Sequence, residues 1–372
     1  MSQSARDFVV TQLEKAGLVL DGTAPWDPQV HDQRLWARLL RDGTLGLGEA
    51  YMDGWWDAAA LDQFLYRLAN ARIQDAFPKD LAVMWSVARG RLLNLQRLRI
   101  SEVGEKHYDI GNDLYAAMLD QRMIYSCGYW QGGAQDLDAA QEAKLDLICR
   151  KLGLEKGMHI LDIGSGWGGF LQFAAERYGV NGLGVTISRQ QVALANERLA
   201  GLPVETRLLD YQALEGQFDR IVSIGMFEHV GYKNYAAYFR KAAELLRPDG
   251  LMLLHTIGGH QSTTHGDPWS EKYIFPNGML PSVGQIGKAI EPYFVMEDWH
   301  NFGADYDPTL MAWLSNFDAA WPVLSARYDE RFRRMWRYYL SVFAALFRAR
   351  HISLWQVVLS PRGVAGGYGS IR

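Results

Sequence analysis

Five side chains able to do chemistry stand in short, unlike segments. Cys127 lies in Tyr125-Ser126-Cys127-Gly128-Tyr129-Trp130. Glu228 and His229 lie in Met226-Phe227-Glu228-His229-Val230-Gly231. His255 lies in Leu254-His255-Thr256-Ile257-Gly258, and Tyr306 in Asp305-Tyr306-Asp307. An acid and an imidazole brought to one pocket can orient a proton acceptor or an anion. A thiol is a nucleophile only when activated, and no neighbour in the sequence activates Cys127. Taken singly, each has an ordinary structural reading: a hydrogen-bonded histidine, or a cysteine packed as a small apolar residue. No His/Cys pair has the spacing of a metal site.

A second segment has the chemistry of a ligand turn. Met158–Ile163 reads as a short buried strand. Glycines follow at 164, 166, 168 and 169, and Phe170–Tyr178 opens a helix. Strand, glycine turn and helix form the nucleotide-binding half of a doubly wound sheet. Gly164, Gly166 and Gly169 also fit a dinucleotide pattern, which calls for an acid about 20 residues on. Gly182-Leu183-Gly184-Val185-Thr186 holds none. Asp162, at the strand end, would repel a pyrophosphate but not a sulfonium ligand with an amino group. S-adenosylmethionine is therefore the expected ligand. A turn built for no ligand is disfavoured, because so many glycines weaken a fold for no packing gain.

These groups need a sheet to position them. Strands are expected over 158–163, 181–186, 204–209, 219–224 and 250–256, with helices over 168–178, 188–200 and 234–246 between them. Ser188 reads as an N-cap. Asp162, Thr186, Asp210, Met226–Glu228 and His255 then fall at carboxyl ends of strands, where such sheets bind ligands. Residues 258–280 read as a lid loop, Val283–Ile290 as a helix and Phe294–His300 as a sixth strand. Asp307–Arg350 reads as two helices divided at Trp321-Pro322. Leu354–Ser360 is a last strand, placed antiparallel between the sixth and the fifth. Asp138–Leu152 is a helix leading into the sheet, while Lys106–Tyr115 and Tyr125–Trp130 read as loops.

The first hundred residues read as helical, over Ala5–Ala16, Gln33–Asp42 and Asp62–Ala71. Gly46–Asp57 reads as a structured turn anchored by core tryptophans. Arg89–Ile100 alternates basic and apolar residues at helical spacing. It suits an anionic membrane surface, or equally a solvated helix with Leu92, Leu95 and Leu98 buried.

Composition sets the outer bounds. Apolar content over 372 residues suffices for one large or two modest cores, which excludes wholesale disorder. A net charge of −4 gives no global attraction to nucleic acid or anionic lipid, so any such surface must be local. Two cysteines, Cys127 and Cys149, make no disulfide framework and suit a reducing cytosol. The start of the chain has no apolar signal segment, and no apolar run is long enough to span a bilayer.

The motifs together resemble the bacterial cyclopropane-fatty-acyl-phospholipid synthase family. The matching segments are Tyr125–Trp130, Leu161–Gly169, Gly184–Ser188, Met226–Gly231, His255–Gly258, Tyr273–Gly278 and Met296–Asp307, with Tyr51–Trp56 and Lys106–Asp113. The resemblance implies an α/β class I methyltransferase fold with a seven-stranded, mostly parallel sheet. It implies a helical lipid-associating domain over 1–105, a catalytic domain over 106–372 and a lid over 258–281. The implied cofactor pocket is Tyr125, Ser126, Gly164, Gly166, Trp167, Gly168, Thr186, Gln191, Tyr211 and Gln212, beside Asp162 and Asp210. A bicarbonate ion would be held by Cys127, Glu228, His255, the backbone of Ile257, and Tyr306.

The implied reaction transfers a methylene to a cis double bond in a phospholipid acyl chain, through a carbocation deprotonated by bicarbonate. The implied setting is a homodimer bound peripherally to the inner face of the cytoplasmic membrane, with no nucleic-acid partner. Two positions depart from the family: Phe343 stands where some relatives carry a cysteine, and Leu209 where Gln is common. The competing readings are a methyltransferase that leaves a methyl branch or uses a small amine or free fatty acid, and a non-catalytic cofactor-binding lipid-surface protein.

Overall fold

A computed structural model describes residues 2–72 and 111–372. The basic segment at 89–100, residues 106–110 and the expected boundary at 105 lie outside these described residues. In chain order the elements begin with α1 (Ser2–Lys15), β1 (Gln29–Val30), α2 (Leu35–Met52), β2 (Trp56–Asp57) and α3 (Leu61–Asn70). Next come α4 (Asn112–Met118), α5 (Leu137–Lys151), β3 (His159–Ile163), α6 (Gly169–Tyr178), β4 (Asn181–Thr186), α7 (Arg189–Arg198) and β5 (Val204–Leu208). Then follow β6 (Phe218–Ile224), α8 (Tyr235–Leu245), β7 (Leu246–Gly259), α9 (Pro268–Tyr273) and α10 (Val283–Ile290). The chain closes with β8 (Val295–Asn301), α11 (Tyr306–Leu324), α12 (Glu330–Arg348) and β9 (Ile352–Ser360).

The described residues fall into two compact units. One gathers 2–72, 264–278 and 310–352; the other gathers 111–263, 279–309 and 353–372.

The first unit is helical. Gly43 interrupts α2 with φ 54°, yet the helix resumes and runs to Met52. The turn expected over Gly46–Asp57 is therefore confined to the residues after Met52. The glycines misled because they serve packing: a Cβ at Gly48 would come within 2.4 Å of the buried Trp269 indole. Trp56 is core, as expected. Trp55 instead carries the guanidinium groups of Arg34 and Arg38 over its ring at 4.6 and 4.7 Å. The break expected at Trp321-Pro322 comes later. Pro322 sits in the last turn of α11, and Asp329 caps α12 by accepting from the Phe332 amide at 2.7 Å. Phe343 packs edge-on against Phe275 and Tyr339.

The second unit is the sheet, in the order β5-β4-β3-β6-β7-β9-β8. Strands β5, β4, β3, β6 and β7 run parallel, and β9 pairs antiparallel with β8. β9 lies between β7 and β8, as the sequence led us to expect. β7 is longer than expected at both ends; His255 pairs with Ile224, the last residue of β6, so it still reaches the carboxyl edge. Leu209 is half-buried against the core on one face of the sheet. Asn112–Met118, part of a segment expected as a loop, is helical and buries Leu114, Tyr115 and Met118. Ser188 caps α7 by accepting from the Gln191 amide at 3.3 Å. No described helix is long and apolar enough to cross a membrane.

Candidate active site

The glycine turn after β3 is conformationally necessary. Gly164, Gly166 and Gly168 have φ of 88°, 54° and 78°, a region that side chains other than glycine rarely adopt. Gly169 has ordinary φ, but a Cβ there would meet the Arg122 carbonyl oxygen at 2.4 Å. The amides of Gly164 and Ser165 both donate to the Val185 carbonyl on β4, at 2.9 and 3.1 Å. Asp162 stands at the head of this turn, buried, with Oδ1 unpartnered. Burial pushes its carboxyl up to about 7, against the opposing pull of Lys144.

The other expected cofactor residues lie on the same edge. Thr186, the last residue of β4, donates to Gln191 Oε1 at 2.7 Å. Asp210, past β5, accepts from the Gln212 amide at 2.9 Å and so shapes the turn Tyr211–Ala213. The Tyr211 ring packs 5.4 Å from Tyr238. Trp167 donates to Asn112 Oδ1 at 3.0 Å, and Tyr115 packs between Trp167 and Tyr125. Residue types that can read an adenosine, its ribose and an amino group thus sit at the ends of β3, β4 and β5.

A second cluster lies at the ends of β6 and β7. Glu228 is in a turn after β6, and its Oε1 accepts from the Ile257 amide at 2.7 Å. Its Oε2 is buried without a partner. Burial raises this carboxyl to about 7, although the Ile257 amide draws it down. The Ile257 amide, expected to face an anion, is thus engaged by Glu228. His255 is fully buried, and burial holds it well below its usual range, so it is neutral. The Gln356 amide donates to its Nδ1 at 3.3 Å, which leaves the ring proton on Nε2. That Nε2 has no partner either. One buried acceptor and one buried donor therefore stand open, and hydrogen carbonate, with an O–H and acceptor oxygens, has the chemistry to meet both.

Cys127 faces differently. Its thiol donates to the Gly128 carbonyl at 3.1 Å, and burial first, then Asp305, pushes it well above its usual range. It is a neutral donor rather than a nucleophile. Thr309 accepts from the Gly128 amide at 3.1 Å and the Trp130 indole at 2.9 Å; Asp305 accepts from the Trp130 amide at 2.6 Å. Tyr306, between those two, is buried at the start of α11. Phe302 joins the clusters, its ring 5.3 Å from Tyr129 and 5.9 Å from His255.

Comparison with known proteins gives the family. The family described as mycolic acid cyclopropane synthetase matches residues 96–357. The chain belongs to this family. It is 53% identical to the cyclopropane-fatty-acyl-phospholipid synthase of Escherichia coli K12, over 95% of this chain and 93% of the relative. It is 34% identical to the tuberculostearic acid methyltransferase UfaA1 of Mycobacterium tuberculosis, over 92% of this chain and 87% of that one. Among solved structures, mycolic acid cyclopropane synthase CmaA1 complexed with SAH and CTAB superposes with a TM-score of 0.65. It is 33% identical, covering 70% of this chain and 97% of its own. The seven-stranded class I methyltransferase fold is thus shared across this synthetase family.

Five residues that hold the site were missed from the sequence. Gln141 and Lys144 on α5 reach Ser126; Asp305 and Thr309 hold the Cys127 loop; Gln356 sets the His255 tautomer. Only α5 carried a signal, because Gln141 and Lys144 share a helix face with apolar Leu145 and Ile148.

Proposed function

We propose that the protein transfers a methylene group from S-adenosylmethionine to the cis double bond of a phospholipid acyl chain, forming a cyclopropane ring. The observation that carries this reading is the pair of buried, unpartnered atoms Glu228 Oε2 and His255 Nε2 in a chain of the cyclopropane synthetase family. The name of the Escherichia coli relative supplies the substrate class.

S-adenosylmethionine supplies an electrophilic methyl. The glycine turn, Asp162, Thr186, Gln191, Tyr211 and Gln212 would bind and orient it, with Asp162 facing its amino group. The alkene π electrons form the new C–C bond as the C–S bond breaks, leaving positive charge on the acyl chain. Ring closure returns the electrons of a C–H bond of the new methyl and releases its proton. Aromatic faces stabilise such a cation without capturing it. Burial of Cys127, Glu228 and His255 keeps out water, which would trap the cation as an alcohol. Hydrogen carbonate, held there, would supply an exchangeable base, whereas alkylation of a side-chain carboxylate in contact would inactivate the protein. Glu228, neutral His255 and Tyr306 are the residues proposed to hold it; the Cys127 thiol, expected as a further donor, is taken up by the Gly128 carbonyl. A homodimer on a phospholipid surface belongs to the same proposal; equilibrium sedimentation and liposome co-sedimentation test it.

The deciding experiment incubates purified protein with S-adenosylmethionine, hydrogen carbonate and liposomes of cis-monounsaturated phospholipid, followed by acyl-chain mass spectrometry. A gain of one CH₂ that resists hydrogenation supports ring formation. A gain that takes up hydrogen points to a branched product, the second reading, which the methyltransferase name of the 34%-identical relative keeps in play. No gain with intact cofactor binding removes this acceptor.

A further inference from the structure

Lys144 has no surface exposure at all, yet it lies in the interior of α5. A buried ammonium is costly unless something nearby uses its charge. Its Nζ donates to the Ser126 hydroxyl at 2.8 Å. One turn earlier, Gln141 donates to the Ser126 carbonyl at 2.8 Å. The helix therefore grips both polar groups of one loop residue from inside the fold. The carboxylate of Asp120 closes the start of that loop, accepting from the amides of Ile124 and Arg122 at 2.8 and 2.9 Å. Asp162, buried at the end of β3, has an oxygen with no hydrogen-bond partner; the Lys144 charge draws its carboxyl down, although Asp120 is the carboxyl that acts most strongly on Lys144 itself.

We propose that Lys144 is a positioning residue for cofactor binding: it holds the Ser126 loop by its hydrogen bond, and its buried charge favours the ionised form of the Asp162 carboxyl. The inference rests on the cofactor reading above. The charged and titratable groups acting on Lys144 or Asp162 are Asp120, Cys127, Tyr238 and His255 besides the pair itself. Burial places Asp162 near 7 and Lys144 near 8, and it raises Asp120 as well. The amino group of the cofactor is cationic and needs Asp162 ionised. Removing the lysine charge drives the Asp162 ionisation upward, so binding weakens most below the new midpoint and recovers at high pH. Above 8 the wild-type lysine also loses its charge, so wild type and variant converge.

The test is the affinity for S-adenosylhomocysteine, which carries the same amino group and is stable over a wide pH range, measured by calorimetry from pH 6 to 9. Lys144→Gln keeps a donor for Ser126 and drops the charge; Lys144→Met, a better-packing variant, serves if the glutamine protein fails to fold. We expect wild-type affinity to rise through pH 7, and the variant to bind about fivefold more weakly at pH 7 and nearly tenfold at pH 6, with its midpoint displaced upward by about one unit, one unit being a tenfold change. Ser126→Ala should weaken binding without moving the midpoint. Unchanged affinity in the Lys144 variants overturns the inference, and so does a loss that is the same at every pH, which would mean a packing role only. If wild type binds no S-adenosylhomocysteine, the cofactor reading falls and this inference with it.

Discussion

The amide of Ile257 donates to Glu228 Oε1 at 2.7 Å, tying the turn after β6 to the carboxyl end of β7 and leaving Oε2 as an open, buried acceptor. A carboxylate pinned at one oxygen presents the other in a fixed direction. Glu228→Gln keeps the size and an oxygen for Ile257, but turns the other position into a donor or loses the charge. Turnover should fall by about 10²- to 10⁴-fold, the range for loss of a group that serves proton transfer. S-adenosylhomocysteine affinity should stay within about threefold, a fraction of a kcal/mol. Single-turnover kinetics beside calorimetry will show whether the two separate; comparable loss in both would take Glu228 out of the proposed base-holding role.

The same carboxyl sets a pH dependence. Burial lifts Glu228 from an ordinary 4.5 to about 7 and Asp162 from 3.8 to about 7. Turnover that needs the Glu228 carboxylate should therefore rise as pH climbs through 7. For stability the sign is opposite. Between about pH 4 and 7 the folded chain keeps protons that the unfolded chain releases, so the free energy of unfolding falls as pH rises. The buried neutral His229 and His255 slope the other way in this window, so the Glu228 contribution is read as the wild-type minus Glu228→Gln difference in ligand-free protein, which should fall by about 1–3 kcal/mol as pH rises. Urea titrations at pH 5, 6 and 8 measure it.

How much of this was legible in the sequence follows from which forces are local. Alternating apolar runs and glycine turns mark strands and helices through short-range patterning, and the helical excursion before β9 gave its place between β7 and β8. Gly46 and Gly48 deceived because their role is contact with Arg38 and Trp269, and a sequence does not say whether a glycine bends the chain or admits a neighbour. Glu228, His255 and Cys127 stood out as motifs. Thr309 and Gln356 did not, because they act through buried hydrogen bonds to residues more than 100 positions away in the chain, and Lys144 showed only as a polar residue on an apolar helix face.

Cys127 should tolerate substitution by serine. Its thiol is buried, neutral and already donates to Gly128, so chemistry through a thiolate is not available to it. A hydroxyl preserves the donor at a small cost in packing. Cys127→Ser should keep turnover within about tenfold, or 1.4 kcal/mol. Wild-type protein should also resist iodoacetamide at this position up to pH 9 by peptide mass mapping. A complete loss of turnover in the serine variant would mean that sulfur itself is required.

Gly258 follows Ile257 directly, and a Cβ built on it would stand 1.9 Å from the Trp355 ring. Trp355 cannot easily yield, because it is buried on β9 and packs edge-on against Trp299 at 5.1 Å. Gly258→Ala must then displace either the indole or the backbone of β7, and the backbone at that point carries the amide that holds Glu228. The expected cost is about 1–3 kcal/mol of stability, as for overpacked cores, with a loss of turnover larger than the loss of cofactor affinity. Gly287, in α10, is the matched control: a Cβ there meets nothing within 4 Å and φ is ordinary. Gly287→Ala should stabilise by about 0.4–1 kcal/mol, through helix propensity and a less flexible unfolded chain. Thermal unfolding and turnover of the two variants, compared side by side, separate the close packing at Gly258 from a general intolerance of glycine replacement; equal behaviour of the two would mean that β7 absorbs the extra methyl without moving Ile257.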